Sequence, residues 1–353
     1  MRILLVLVVF GLIWLTTSPV PIEPEAWEAP PTPALEGRYA VNDRLAAVRR
    51  VGRGVGMGPE DVAVAANGTV YAGYEDGRIV RFVPGQGAPR LFAQTDGRPL
   101  GLEFDGEGRL VVCDGYQGLL RIARDGALEV LATEAAGLPF GFTNDLDIAA
   151  DGTIYFTDAS WKFGPAMKAR DDLLEHGGHG RLLQYDPATG AVTVLLDGLQ
   201  FANGVALAPD ERSVLVVQTG SYNVLRYWLA GERAGTHEVF IDNLPGIPDG
   251  ISSNDRDTYW LALFTVRNPA LDALAPYPWL RKLVFRLPQF LQPQPAPHAF
   301  VLGLSLDGDV THNLQHDGAH SFAPVTSVTE AGGRLYLGSL TQDAFGVLDL
   351  RQP

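Results

Sequence analysis

The chain has 353 residues, a hydrophobic content of 46% and a formal net charge of −14. That is ample material for a large core, and too acidic a balance for a nucleic-acid partner, whose phosphates call for a basic face. The 40 glycines and 25 prolines, set between strand-forming runs, favour many short strands and turns over helices.

Arg2 precedes an apolar run over residues 3–15, and Thr16-Thr17-Ser18 follow. Continued through Val20 and Ile22, the segment reaches about 20 residues, just enough to span a bilayer. The run alone also suits the core of a signal peptide. Residues 1–22 are therefore expected to be a signal anchor or a signal peptide. The remainder is expected outside the cytoplasm, held at a membrane or secreted after cleavage. Residues 23–36, rich in Pro, Glu and Ala, read as a stiff linker. The one cysteine, Cys113, lies in the run Arg109-Leu110-Val111-Val112-Cys113 and reads as a buried strand residue.

From residue 37 to 353 one pattern recurs six times. Its opening units are Pro59-Glu60-Asp61-Val62, Pro99-Leu100-Gly101-Leu102, Thr143-Asn144-Asp145-Leu146, Ala202-Asn203-Gly204-Val205, Pro248-Asp249-Gly250-Ile251 and Val325-Thr326-Ser327-Val328. Most lead through a small-residue turn, such as Asn67-Gly68 or Asp151-Gly152, into a second strand such as Val70-Tyr71-Ala72-Gly73. A period of roughly 40 to 45 residues with four strands per repeat predicts an all-β fold, a six-bladed β-propeller. Two ordinary sandwich domains would not explain the sixfold recurrence. The last repeat has three strands before the chain ends, and residues 44–53 are expected to supply its fourth and close the ring.

Two gaps between units are long. They place insertions at 159–180 in blade three and 265–299 in blade five, each between second and third strands. Both therefore overhang the face at which the first strands begin. The second residue of each unit starts the innermost strand there: Glu60, Leu100, Asn144, Asn203, Asp249 and Thr326. Two carboxylates and two carboxamides converging on one axis suit Ca²⁺, which takes six to eight oxygens. No Cys or His stands at these positions, which argues against zinc. Asn and Asp also begin strands simply as turn formers, so the pattern speaks as a set rather than singly.

Several motifs resemble the strictosidine synthase-like family, including its adipocyte plasma membrane-associated branch. They are Gly58-Pro59-Glu60-Asp61, Asn144-Asp145-Leu146-Asp147, Tyr155-Phe156-Thr157-Asp158, Phe201-Ala202-Asn203-Gly204-Val205 and Leu244-Pro245-Gly246-Ile247-Pro248-Asp249-Gly250. The wider superfamily includes regucalcin-type gluconolactonases and paraoxonases. The resemblance implies a six-bladed propeller with a central calcium held by Glu60, Asn144, Asn203 and Asp249. Gly250 stands where the family often has Asn. Thr326 stands where the alkaloid synthase has its catalytic Glu, so strictosidine synthesis is not expected.

His176 and His179 lie in the blade-three insertion, and His316 and His320 in the segment entering blade six. A histidine on the active face could act as a general base. Of these, His179 and His320 are nearest their following strands. The expectation is a calcium-dependent hydrolase of small-molecule esters or lactones, with Asp249, His179 or His320 activating water. The alternative is a non-catalytic binding or scaffold propeller with a structural metal. In the blade-five insertion, Pro278 and Pro288 bracket a short amphipathic helix. Leu280, Leu283, Val284 and Leu287 lie on one face, flanked by Arg281, Lys282 and Arg286. It reads as a lid or as a membrane-interface element.

Overall fold

Asn67-Gly68 shows how the chain breaks into hairpins. Gly68 adopts φ +80°, a conformation glycine takes without penalty, and the Asn67 side chain accepts the Thr69 amide at 3.0 Å. Repeated turns of this kind arrange the chain into six four-stranded antiparallel sheets around an axis. The computed structural model describes residues 14, 16–164 and 169–351.

From the axis outward, blade one comprises Val62–Val64, Val70–Gly73, Arg78–Phe82 and Arg90–Gln94. Blade two comprises Pro99–Phe104, Leu110–Asp114, Gly118–Ile122 and Leu128–Ala132. Blade three comprises Thr143–Ile148, Ile154–Asp158, Gly180–Tyr185 and Val192–Leu199. Blade four comprises Ala202–Leu207, Ser213–Gln218, Asn223–Trp228 and His237–Ile241. Blade five comprises Gly246–Ser253, Tyr259–Val266, His298–Leu304 and Val310–Asp317. Blade six takes Val328–Ala331, Arg334–Leu337 and Phe345–Asp349 from the C-terminal end and Arg49–Val51 from the N-terminal end. The expected closure is thus formed, with Arg50 opposite Gly346.

The core is divided among the interfaces between blades. In the second strand of blade five, Tyr259, Leu261 and Leu263 pack toward blade four, while Trp260 and Ala262 pack toward blade six. The period-two alternation of a strand supplies both interfaces from one run, so that run is apolar throughout. Cys113 follows the same rule, buried between blades two and three as expected.

Neighbouring inner strands are also bolted together by polar groups. Asp61 accepts the amide of Leu102 at 2.9 Å, Asp145 that of Val205 at 3.0 Å and Asp147 that of Leu207 at 2.7 Å. Gly250 occupies the equivalent of Asp61 in blade five. A Cβ there would lie 2.6 Å from the Thr326 carbonyl oxygen, and the Gly250 amide donates to that oxygen at 2.8 Å. Its departure from the family pattern therefore permits close approach of blades five and six.

The two insertions form helices above one face: α1 (Ala169–Glu175), α2 (Pro269–Leu274) and α3 (Pro278–Arg286). The helix expected after Pro278 is present, but its faces differ from the wheel. Arg281 is its buried residue, whereas Leu280, Leu283 and Leu287 are only half-buried. The guanidinium of Arg281 donates to the Leu174 carbonyl at 3.0 Å and also to that of Glu25.

The proline-rich segment lies against this roof. Ile22 is buried with Phe163 and Leu174, and Glu175 accepts the Glu23 amide at 2.7 Å. Arg267 donates to the Pro30 carbonyl at 2.6 Å. No helix among the described residues is long and apolar enough to cross a membrane. The anchor expected over residues 1–22 falls mostly on residues 1–13 and 15, which lie outside the described residues.

Candidate active site

Each inner strand of blades two to five carries a register irregularity at its start. It falls between Pro99 and Leu102, Thr143 and Leu146, Ala202 and Val205, and Pro248 and Ile251. Leu100, Asn144, Asn203 and Asp249 sit inside those bulges. A bulge re-aims side chains out of the normal alternation. These four residues and Glu60, which precedes the first strand of blade one, line a single cavity of about 620 Å³. The structure thus brings together all four side chains expected as metal ligands.

Asn203 donates through Nδ2 to Asp249 Oδ1 at 2.6 Å and to Thr219 Oγ1 at 3.1 Å. Its Oδ1 is buried without a hydrogen-bond partner. Burial drives the Asp249 carboxyl up to about 7, against the opposing pull of the Asn203 amide. Glu60 is pushed well above the usual carboxylate range, chiefly by burial and then by the charges of Asp249, Asp61 and Asp145. Buried anionic oxygens of this kind are stabilised by a bound cation. Two carboxylates and two carboxamides with one amide oxygen left over are a donor set that fits Ca²⁺. Among the described residues no three His, Cys, Asp or Glu side chains group closely enough to hold a metal by themselves.

Above this polar floor the walls are apolar: Leu100, Phe142, Phe201, Phe264, Val266 and Leu271. Trp27 completes the roof, stacked on His176 at 4.1 Å between ring centroids and 8° from parallel. Sequence reasoning missed Trp27, because a proline-rich stretch carries no periodicity to show what it packs against.

The histidines expected as bases lie outside the cavity lining. His179 is buried with its Nε2 2.7 Å from Glu175 Oε1, its ring between Trp161 and Phe163. His320 is exposed, and its carbonyl accepts from Arg50 at 3.0 Å. Thr326 is buried and donates its hydroxyl to the Glu60 carbonyl at 2.8 Å, across the seam between blades six and one.

The strictosidine synthase family profile matches residues 144–232, and the profile for the N-terminal part of strictosidine synthase-like proteins matches residues 37–82. A strictosidine synthase-like protein of Arabidopsis thaliana, number 10, is 39% identical over 83% of this chain and 85% of its own length. The chain belongs to the strictosidine synthase-like family. Within this family, the adipocyte plasma membrane-associated protein of Salmo salar is 35% identical over 94% of this chain and 84% of its own. Among solved structures, a gluconolactonase from Xanthomonas campestris has a TM-score of 0.62 at 21% identity, covering 87% of this chain and 90% of that one. A calcium-binding protein, regucalcin, from Agrobacterium tumefaciens has a TM-score of 0.59 at 16% identity, covering 85% and 93%. At such identities these structures establish the shared fold.

Proposed function

We propose that this strictosidine synthase-like chain is a calcium-dependent hydrolase of esters or lactones, held at a membrane with its propeller outside the cytoplasm. The observation that carries the proposal is the partnerless, buried Asn203 Oδ1, bonded through Nδ2 to Asp249 and lining one largely apolar cavity with the buried Glu60. Glu60, Asn144, Asn203 and Asp249 would hold the cation. Bound there, calcium supplies Lewis-acid polarisation of a substrate carbonyl.

The chain's own residues do the remainder. Asn203 Nδ2 orients Asp249 through Oδ1, leaving its other oxygen as the proton acceptor for an attacking water. The walls around Phe142, Phe201 and Phe264 exclude bulk water and suit an aryl or alkyl group better than a polyol. The membrane placement rests on the apolar run at residues 3–15 and on the plasma membrane-associated naming of relatives.

The test is turnover of phenyl acetate and simple lactones by the purified protein, with and without chelator. Metal-dependent hydrolysis is expected. Inactivity across the panel in protein that retains calcium would replace this reading with a binding propeller.

A further inference from the structure

The roof of the cavity also carries exposed aromatic side chains. Trp279 on α3 is 63% exposed and Phe290, just beyond it, 81%. Tyr277 and Leu291 beside them are also exposed. Lys282 adds a positive charge to the same segment of a chain that is strongly acidic overall. Exposed aromatics next to basic residues suit the headgroup level of an anionic bilayer.

The chain itself fixes how far this surface stands from any membrane its N-terminus enters. Arg286, the last residue of α3, donates through Nε to the carbonyl of Ser18 at 2.8 Å. The apolar run ends at Leu15, only three residues earlier. Thr16 and Thr17 are helical and the Ser18 amide donates to the Trp14 carbonyl at 3.0 Å, so three residues at the helical rise span only about 5 Å. The headgroup region on each side of a bilayer is roughly 5 to 8 Å thick. A bilayer holding the apolar run therefore comes within contact of the end of α3, and Trp14, at the start of the described chain, is exposed.

We propose that α3 and the Phe290-Leu291 turn form a lipid-docking face, which seats the roof of the cavity in the headgroup layer of an anionic bilayer. The inference is independent of the chemistry inside the cavity. Docking positions Trp279 and Phe290 among the headgroups, with Lys282 near lipid phosphates. Val284 on the same helix lines the cavity, so one short helix separates lipid from the site.

The test uses the full chain in vesicles of phosphatidylcholine and phosphatidylserine. Cys113 is buried, so a single introduced cysteine can be labelled. An environment-sensitive fluorophore is placed at Phe290→Cys and, as control, at Ala66→Cys, an exposed turn residue at the opposite end of blade one. Lipid-borne nitroxides near the headgroups are expected to quench the probe at 290 on the order of threefold more than the probe at 66. Adding Trp279→Ala with Leu291→Ser should lower quenching at 290 while leaving the thermal midpoint unchanged. Equal quenching at both sites, in protein that floats with the vesicles, would show tethering without docking and overturn the proposal. Failure to float would overturn it as well.

Discussion

Asp249 accepts a hydrogen bond from Asn203, and Asn203 in turn keeps one oxygen free. Removing either negative charge while preserving shape should expose which oxygens hold the cation. Calorimetric titration after chelator treatment is expected to show one calcium site, weakened by roughly tenfold or more in Glu60→Gln and in Asp249→Asn. Unchanged affinity in both variants would remove these residues from the site. Thr326 yields a second expectation. Its hydroxyl proton is committed to the Glu60 carbonyl, and it has no carboxylate to serve an amine–aldehyde condensation. Tryptamine and secologanin should give no product by mass spectrometry above the uncatalysed background. That Glu60, Asn144, Asn203 and Asp249 line one cavity was legible because the repeat fixes their register, and bulges re-aim Asn144, Asn203 and Asp249 toward it. The histidines were not. A loop's position in the chain fixes the face it reaches but not the direction of each side chain, and Glu175 draws His179 inward.

Between residue and domain, the elements that shape the site are the strap over residues 19–33 and the roof it crosses. Its Trp27 rests on His176, which follows α1 and is buried. Burial, reinforced by the charge of Arg281, lowers the His176 imidazole to about 4. The folded state thus favours the neutral ring. Its contribution is fully present above the unfolded value near 6.5 and is lost as pH falls from there through about 4. A difference of that size corresponds to roughly 3 kcal/mol. His176→Phe preserves an aromatic partner for Trp27 and removes the titration. Comparing thermal midpoints at pH 7 and pH 4.5, the variant should lose less stability on acidification than the parent chain. An equal loss would mean that His176 does not report the strap. The prolines around α3 marked its limits in the sequence, but not its buried side. Helical periodicity assigns apolar residues inward, whereas here the carbonyls of Leu174 and Glu25 need a donor, and Arg281 is the side chain that reaches them.

Across the whole molecule, the six interfaces are legible because each strand feeds two of them by simple alternation, and the ring closes where the count of strands required it. Closure also bears on the site. The strand that closes blade six is short, at Arg49–Val51, but the junction of blades six and one is reinforced near the axis. The Ser339 amide donates to the Pro59 carbonyl at 2.8 Å and the Gly58 amide to that of Gln342 at 2.9 Å, beside the bond from Thr326 to Glu60. Glu60 therefore stands on one side of the seam, while Asn144, Asn203 and Asp249 reach the same cavity from blades three, four and five. A cation held by all four would brace the ring across its axis and bind the folded state alone. Stability should then rise with free calcium by mass action, by about 2.7 kcal/mol at a hundred times the dissociation constant. The thermal midpoint of the parent chain is expected to climb steadily as calcium is added to chelator-treated protein. In Asp249→Asn the same titration should produce little shift until far higher calcium. A parent midpoint indifferent to calcium would mean that no cation bridges these blades, and the carboxyls of Glu60 and Asp249 would then be buried as neutral acids that hold the inner strands without one.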